Sequence, residues 1–350
     1  MGWDSFFDTN FETYQKQGFT AMRIIRENRG KYIACGEPGK YTCEISGKFR
    51  FEADTKDKFP AVGDWAAASI RSDEGTATIH AILPRKSGFS RKVAGQTTES
   101  QVLAANIDTV FIVCGLDLNF NLRRIERYLS MALESGAVPV ILLNKTDICP
   151  EAEVRKNEVE AIAPGTDIYN ISATQKTGLE IFHKYISRGK TASFLGSSGV
   201  GKSTIINSLL GTDRLKVNEV SELGSRGRHT TSFRELIMLP DGGMVIDTPG
   251  MRELQVWGEE EGMKQVFNDI EELALKCKFR NCSHQSEPGC VVQKAIRNET
   301  LEPNRLKSFL KLKREYEYLA SRQIMKHSAI EKAHWKKISQ LQKDLKKRSD

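Results

Sequence analysis

The chain has 350 residues, too many for a single hydrophobic core, so we expect two or three domains. No apolar run approaches the ~18 residues that a membrane-spanning helix needs. Seven cysteines without disulfide-like spacing and an acidic N-terminal segment unlike a signal peptide favour a reducing compartment. We therefore expect a cytoplasmic monomer with no membrane partner.

An aromatic lead-in at residues 1–20 precedes a region of short alternating strands, residues 21–95. Five such strands within about 65 residues predict a small all-β barrel of the OB type, a fold that often binds RNA. A barrel of the SH3 type that serves only as a protein adaptor is the alternative. The predicted strands are Phe19–Ile25, Lys31–Cys35, Tyr41–Ile45, Asp64–Ile70 and Thr76–Ile82, and the candidate RNA contacts are Arg23, Arg26, Arg29, Lys31, Lys48, Arg50 and Phe51.

Residues 84–96 are predicted to be a basic linker that either touches phosphates or is simply solvated. Strands then alternate with helices, which predicts a parallel sheet in an α/β domain at residues 96–258. The predicted elements are the strands Thr109–Cys114, Val138–Leu143 and Asp167–Ile171 and the helices Leu122–Leu133 and Pro150–Ile162.

The strand that ends at Leu143 is followed by Asn144, Lys145, Thr146 and Asp147. Asp147 can accept hydrogen bonds from N1–H and the 2-amino group of guanine, while Asn144 faces O6 and N7. Adenine lacks those donors and would leave the carboxylate unpaired. A surface turn could also hold this tetrapeptide. The next strand, however, ends in Ser172 and Ala173, whose backbone N–H commonly supplies the O6 contact in such sites.

A strand, a glycine-rich loop and a helix occupy residues 191–210, which is the context of a phosphate-binding P-loop. Lys202 would reach the β- and γ-phosphates, and Ser203 would bind Mg²⁺. A loop that merely turns the chain is the alternative. The predicted phosphate-binding residues are Gly196, Ser197, Ser198, Gly199, Val200, Gly201, Lys202, Ser203 and Thr204.

Two further segments complete the predicted magnesium and γ-phosphate site. The strand from Met244 leads into Asp247, which can hold Mg²⁺ through water, and Gly250, whose N–H faces the γ-phosphate. The polar segment 218–232 occupies the position of switch I, where Thr231, or alternatively Thr230, completes Mg²⁺ coordination.

Catalysis needs a group other than the usual glutamine, because Met251 follows Gly250. His229 is the titratable candidate that could position the attacking water, and contact with a partner or a phosphate is its alternative role. The predicted catalytic residues are therefore His229, Lys202 and Thr231.

The order of these motifs is that of a circular permutation. Ras-like GTPases run from P-loop through switch I and DxxG to NKxD and SA, whereas this chain begins with NKxD and SA. The pieces still make one doubly wound sheet that binds nucleotide at the carboxyl ends of its strands. DTPG therefore leads directly into residues 259–350.

Cys277, Cys282, His284 and Cys290 lie within 14 residues and suit a closed, structural, tetrahedral Zn²⁺ site. Scattered buried cysteines are the alternative. Residues 259–350 are otherwise predicted to be mostly helical. Residues 301–350 carry 14 Lys and Arg against 6 Asp and Glu, which favours either a nucleic-acid partner or a solvated helical face.

Together, the permuted NKTD, SA, GSSGVGKST and DTPG motifs and the zinc segment resemble the bacterial RsgA (YjeQ) family over nearly the whole chain. The resemblance implies an OB domain, a GTPase domain and a zinc domain, with Mg²⁺-dependent GTP hydrolysis to GDP. It further implies contacts to 16S rRNA and stimulation by the 30S subunit during late maturation. His229 matches the histidine proposed as catalytic there, while the lysine-rich tail after about residue 325 lies outside the pattern.

Two other functions stay open at this point. One is a GTPase that matures another RNA or a large-subunit particle. The other, suggested by Met251, is a non-catalytic RNA-binding module gated by nucleotide.

Overall fold

The computed structural model describes residues 1–28, 30–92, 100–213, 234–247, 261–318 and 320–321. Eleven strands in these ranges form one continuous sheet, and two more form a separate hairpin. None of the described helices combines the length and hydropathy that crossing a bilayer demands. The strands are β1 (Thr20–Asn28), β2 (Lys31–Gly36), β3 (Gly39–Ile45), β4 (Trp65–Arg71), β5 (Thr76–Ile82), β6 (Gly88–Lys92), β7 (Ser100–Ala105), β8 (Thr109–Gly115), β9 (Val138–Asn144), β10 (Asp167–Ile171), β11 (Thr191–Leu195), β12 (Arg234–Met238) and β13 (Met244–Asp247).

Within the same ranges, ten α-helices accompany the sheet. The helices are α1 (Ser5–Lys16), α2 (Gly47–Glu52), α3 (Leu122–Glu134), α4 (Ala152–Ile162), α5 (Phe182–Tyr185), α6 (Lys202–Leu210), α7 (Glu261–Val266), α8 (Asn268–Ala274), α9 (Val291–Arg297) and α10 (303–318).

The first five strands close into a barrel. They pair in the order β1-β2-β3-β5-β4, and β4 pairs again with β1. Small and branched apolar residues alternate inward, and Met22, Ile24, Ala34 and Ile79 are completely buried. The predicted barrel of the OB type is therefore confirmed. The lead-in is helix α1, whose Phe7 packs with Trp3 against Trp65 of the barrel.

The basic linker prediction was wrong in part. Residues 88–92 form β6, which pairs in antiparallel fashion with β7, a strand that the sequence pattern did not predict. Phe89 explains the difference, because its ring is buried in the core of the α/β domain and fixes the segment there. Residues 93–99 lie outside the described part.

The α/β domain contains the predicted parallel sheet. Strands β10, β9, β8, β11 and β13 are parallel neighbours in that order, and β12 joins β13 in antiparallel fashion. From β8 the chain adds strands outward through β9 to β10, whereas β11 and β13 extend in the other direction. The strand order therefore reverses between β8 and β11, and ligands bind at the carboxyl ends of strands at such a reversal.

The barrel and the α/β sheet are joined through β1. This strand pairs with β12, where Arg26 is bonded to Glu235 at 2.5 Å and Arg234 to Glu27 at 2.9 Å. Arg23 of the same strand is only 2% exposed and donates to the carbonyls of Gly63 and Asn106 and to the hydroxyl of Thr191. Its prediction as an RNA contact was therefore wrong, because its guanidinium lies inside the interface between the two domains.

The C-terminal helices are anchored to helix α3. Arg305 of α10 lies 2.8 Å from the buried carboxylate of Glu126 and also bonds both carboxylate oxygens of Asp269. Burial raises the pKa of Glu126, and the two neighbouring guanidinium groups of Arg123 and Arg305 oppose that shift. The helical C-terminal region is thus fixed directly to the helix that follows β8.

Candidate nucleotide site

The P-loop begins where the buried strand β11 ends. Gly196 has a φ of 149°, and a Cβ there would lie 2.4 Å from the carbonyl oxygen of Val113 on β8. Gly201 has a φ of 100° and precedes helix α6 directly. Glycine is required at both positions, by conformation and by space. The chain therefore makes a tight turn into a helix N-terminus, a geometry suited to binding phosphate.

The ammonium group of Lys202 sits inside this turn. Its Nζ donates to the carbonyl oxygens of Gly196 at 2.7 Å and Ser197 at 2.6 Å. Ser203 and Thr204 follow in the first turn of α6, and Asp247 is the last residue of the adjoining strand β13. A positive charge, helix N–H groups, two hydroxyls and a carboxylate thus meet at one edge of the sheet, and this set suits a phosphate chain with Mg²⁺.

One side-chain amide ties three loops together. Asn144 at the end of β9 is 2% exposed, and its Nδ2 donates to the carbonyl of Val200 at 2.8 Å. Its Oδ1 accepts the N–H of Ala173 at 2.9 Å. The two hydrogen bonds therefore fix the positions of the three loops relative to one another. Loss of either bond would leave a buried polar group unpaired, which costs free energy.

The remaining NKTD residues present the carboxylate expected to read guanine. Asp147 accepts a hydrogen bond from the hydroxyl of Ser172 at 2.6 Å, and Thr146 donates to the carbonyl of Ile171 at 3.1 Å. Lys145 has a left-handed backbone with a φ of 73°. Thus the structure brings together every described residue of the predicted nucleotide set, at the carboxyl ends of β9, β10, β11 and β13.

Two residues near these loops were missed by the motif analysis. Asp117, just beyond β8, lies 2.6 Å from Nζ of Lys145, and Arg124 of α3 lies 3.2 Å from the hydroxyl of Ser197. Burial opposes ionisation of Asp117, but hydrogen bonds led by that of Lys145 hold its pKa below the usual value. The position of Asp117 after a parallel strand was the signal that could have found it.

Several predicted residues lie outside the described part of the chain. These are the catalytic candidate His229, the magnesium ligand candidates Thr230 and Thr231, and Gly250 with the following Met251.

The four predicted metal ligands come together in the C-terminal region. The ligand atoms of Cys277, Cys282, His284 and Cys290 all lie within 4.8 Å of one another. Sγ of Cys277 is 3.9 Å from Sγ of Cys290 and 3.7 Å from Nδ1 of His284. Such spacing suits four ligands around one ion with metal–ligand bonds of about 2.0–2.3 Å. The cluster could therefore hold a metal.

The surroundings of the cluster act differently on its members, because burial and the neighbouring thiols of Cys290 and Cys277 raise the pKa of Cys282 to about 11. Burial lowers the pKa of His284, which favours the neutral ring that can offer a lone pair. Burial opposes ionisation of Cys277, but hydrogen bonds led by the N–H of Val291 lower its thiol pKa. Gln293 donates to the carbonyl of His284 at 2.6 Å and fixes the turn that carries the ring.

Most of the remaining candidate RNA contacts are exposed on the barrel, although Lys31 lies 3.4 Å from Glu44 and Lys48 lies 3.8 Å from Glu52. Lys31, Lys48 and Arg50 are exposed, and Phe51 is 90% exposed. Arg26 is bonded to Glu235, and Arg29 lies outside the described residues.

The fold and this arrangement define a P-loop GTPase with circularly permuted motifs, preceded by a barrel and followed by a helical region with a Cys/His cluster. The chain belongs to the RsgA GTPase family, whose model matches residues 82–257. It is therefore a GTPase, a hydrolase that acts on GTP.

Relatives and solved structures agree with this assignment. A protein of Opitutus terrae named small ribosomal subunit biogenesis GTPase RsgA is 42% identical over 352 residues, 98% of this chain and 96% of that protein. A Syntrophotalea carbinolica protein of the same name is 42% identical over 323 residues, 90% of this chain and 88% of that protein. The crystal structure of YjeQ from Thermotoga maritima matches with a TM-score of 0.64 and 27% identity, over 86% of this chain and 99% of that chain. The crystal structure of YloQ, described as a circularly permuted GTPase, matches with a TM-score of 0.57 and 25% identity, over 88% of this chain and 96% of that chain.

Proposed function

We propose that the protein acts in ribosome biogenesis by binding the 30S subunit, and that it hydrolyses GTP there during late maturation. The observation that carries the proposal is the meeting of the P-loop, the NKTD loop and the SA loop on Asn144, with a barrel that presents basic and aromatic residues. Relatives over 90% or more of the chain are named as small-subunit biogenesis GTPases, which supports the choice of particle.

In this proposal each nucleotide residue has a defined task. Asp147 reads the guanine base, and Ala173, whose N–H bonds Oδ1 of Asn144, lies in the loop beside its O6. Gly196 to Thr204 enclose the phosphates, with the ammonium of Lys202 neutralising their charge. Ser203, Thr231 and Asp247 would hold Mg²⁺, directly or through water, and the roles proposed for Gly250 and His229 are contact with the γ-phosphate and with the attacking water.

The protein's own groups supply the chemistry by position and charge. Two carbonyl groups of the P-loop hold the ammonium of Lys202 in place. Negative charge that develops on the oxygen between the β- and γ-phosphates is therefore stabilised without movement of the side chain. His229 orients the water as a neutral imidazole. In this proposal the switch segments become ordered when the ribosomal particle binds, so hydrolysis of GTP by the protein alone is slow.

The C-terminal cluster would hold one Zn²⁺ through Cys277, Cys282, His284 and Cys290. Four protein ligands leave no open position, so the ion is structural. We assign residues 21–95 to RNA binding, 96–258 to GTP hydrolysis and 259–350 to the zinc region, in a cytoplasmic monomer.

Steady-state GTP turnover of the purified protein tests the proposal. It is measured alone, with purified 30S subunits and with purified 50S subunits, and ATP serves as the control nucleotide. We expect acceleration by 30S only. Equal acceleration by 50S would favour a large-subunit function, and no acceleration by either would leave a nucleotide-gated binding module.

A further inference from the structure

The segment that runs from the end of β8 into the first turn of α3 contacts both halves of the nucleotide site. Asp117 lies in this β8–α3 segment (residues 116–124), 2.6 Å from the ammonium of Lys145 in the NKTD loop. Arg124, in the first turn of α3, lies 3.2 Å from the P-loop hydroxyl of Ser197. The base-reading loop and the phosphate-reading loop are thus linked to one short segment that belongs to no nucleotide motif.

The β8–α3 segment is itself held firmly. Asp117 accepts the N–H of Asn119 at 2.9 Å through its side chain and the N–H of Phe120 at 2.9 Å through its carbonyl. Asn121 caps α3 by accepting the N–H of Arg124. The guanidinium of Arg155 lies 5.2 Å from the centre of the Phe120 ring. These bonds make the segment a rigid support for its neighbours.

Lys145 needs such a support. Its backbone is left-handed, a conformation that costs about 1 kcal/mol or more for a residue with a side chain. Its side chain is 21% exposed and that of Asp117 19%, so the ion pair is shielded from solvent and stronger than a surface pair. The peptide of Leu116 also donates to the carbonyl of Asn144 at 2.8 Å. Attachment at both points holds the strained turn in place.

We propose that the β8–α3 segment preorganises the nucleotide site, with Asp117 and Arg124 as positioning residues that hold the NKTD loop and the P-loop in the conformation that binds nucleotide. The inference rests on the proposed guanine nucleotide site and adds to it a support outside the motifs. Apparent affinity falls when only a fraction of the molecules is in the conformation that binds ligand. A preformed site avoids this loss.

The test is binding of a fluorescent GDP analogue to the full chain carrying Asp117→Asn. We expect Kd to rise about tenfold through slower association, because the competent state becomes less populated. The preference for guanine over adenine is retained, since Asp147 is untouched. Arg124→Met is expected to raise Kd several-fold in the same way, and Asp117→Glu to restore part of the loss.

The matched control is Asp167→Asn. Asp167 pairs with Lys184 at 3.1 Å at the opposite edge of the sheet, and its loss should leave Kd unchanged. Melting temperatures of all variants separate folding from binding. A purely structural defect lowers the melting temperature but does not slow association when binding is measured at a temperature well below the melting temperature. If Asp117→Asn and Arg124→Met both bind the GDP analogue with the association rate of the wild-type protein, this inference is overturned while the guanine site stays intact. A wild-type protein without guanine preference would instead overturn the proposed function.

Discussion

The side-chain nitrogen of Asn144 lies against Gly201, so close that a Cβ on the glycine would come within 2.2 Å of it. Gly201→Ala should displace the amide, break its bond to Val200 and force a residue with a Cβ into a φ of 100°. We expect GTP affinity, measured by calorimetry, to fall at least tenfold.

Gly211→Ala is the control for that substitution. Gly211 also has a positive φ, 66°, at the end of α6, but nothing lies within 4 Å of the place that a Cβ would occupy. The variant should lose stability and keep its affinity. Equal losses of affinity in the two variants would contradict the close-contact argument.

Asp147→Asn should exchange base specificity. An amide oxygen can still accept from N1–H, but the amide nitrogen donates to O2 of xanthine and faces the 2-amino group of guanine unfavourably. We expect GTP affinity to fall at least 100-fold and affinity for xanthosine triphosphate to rise, in competition binding. Retained tight GTP binding would remove Asp147 from the base site.

Metal analysis tests the C-terminal cluster. The purified chain should contain one zinc ion, and Cys282→Ser should lose it and lower the melting temperature of the helical region by several degrees. Cys149→Ser, a half-buried cysteine outside the cluster, should keep the zinc. Full zinc content in Cys282→Ser would rule out that ligand.

Arg23→Met tests the interface between barrel and α/β domain. The guanidinium is buried, which lowers its pKa to about 10, and its loss leaves buried carbonyls without donors. We expect the free energy of unfolding to fall by about 2–4 kcal/mol, whereas the exposed Arg50→Met should change it by under ~0.5 kcal/mol. RNA affinity should fall more in Arg50→Met than in Arg23→Met. Equal stability of the two variants would contradict the assignment of Arg23 to the interface.

His229→Ala separates catalysis from binding. If the imidazole positions water, turnover stimulated by 30S subunits should vanish while GTP affinity stays nearly intact. Full stimulated turnover in the variant would refute a catalytic role.

Much of this architecture could be predicted because local pattern and fold agree. The strand, glycine turn and helix of residues 191–210 are visible in the sequence, and parallel strands bring their carboxyl ends together whatever their order along the chain. The permuted sheet and the places of Asn144 and Lys202 follow from that rule.

Other features depend on contacts between distant segments and left no local signal. Arg23 alternates with apolar residues as a surface residue would, but β1 is shared by two domains and the side chain faces the second. Asp117 and Arg124 match no motif, since their partners Lys145 and Ser197 meet them only after the sheet forms. The pairing of β6 with β7 was likewise obscured by the basic composition of the segment.

The central claim is that the permuted segments assemble one guanine nucleotide site, and competition binding of GTP against ATP in the presence of Mg²⁺ tests it most directly. The account predicts at least 100-fold tighter binding of GTP, because adenine leaves the carboxylate of Asp147 without its donors. Equal affinity for the two nucleotides would contradict it.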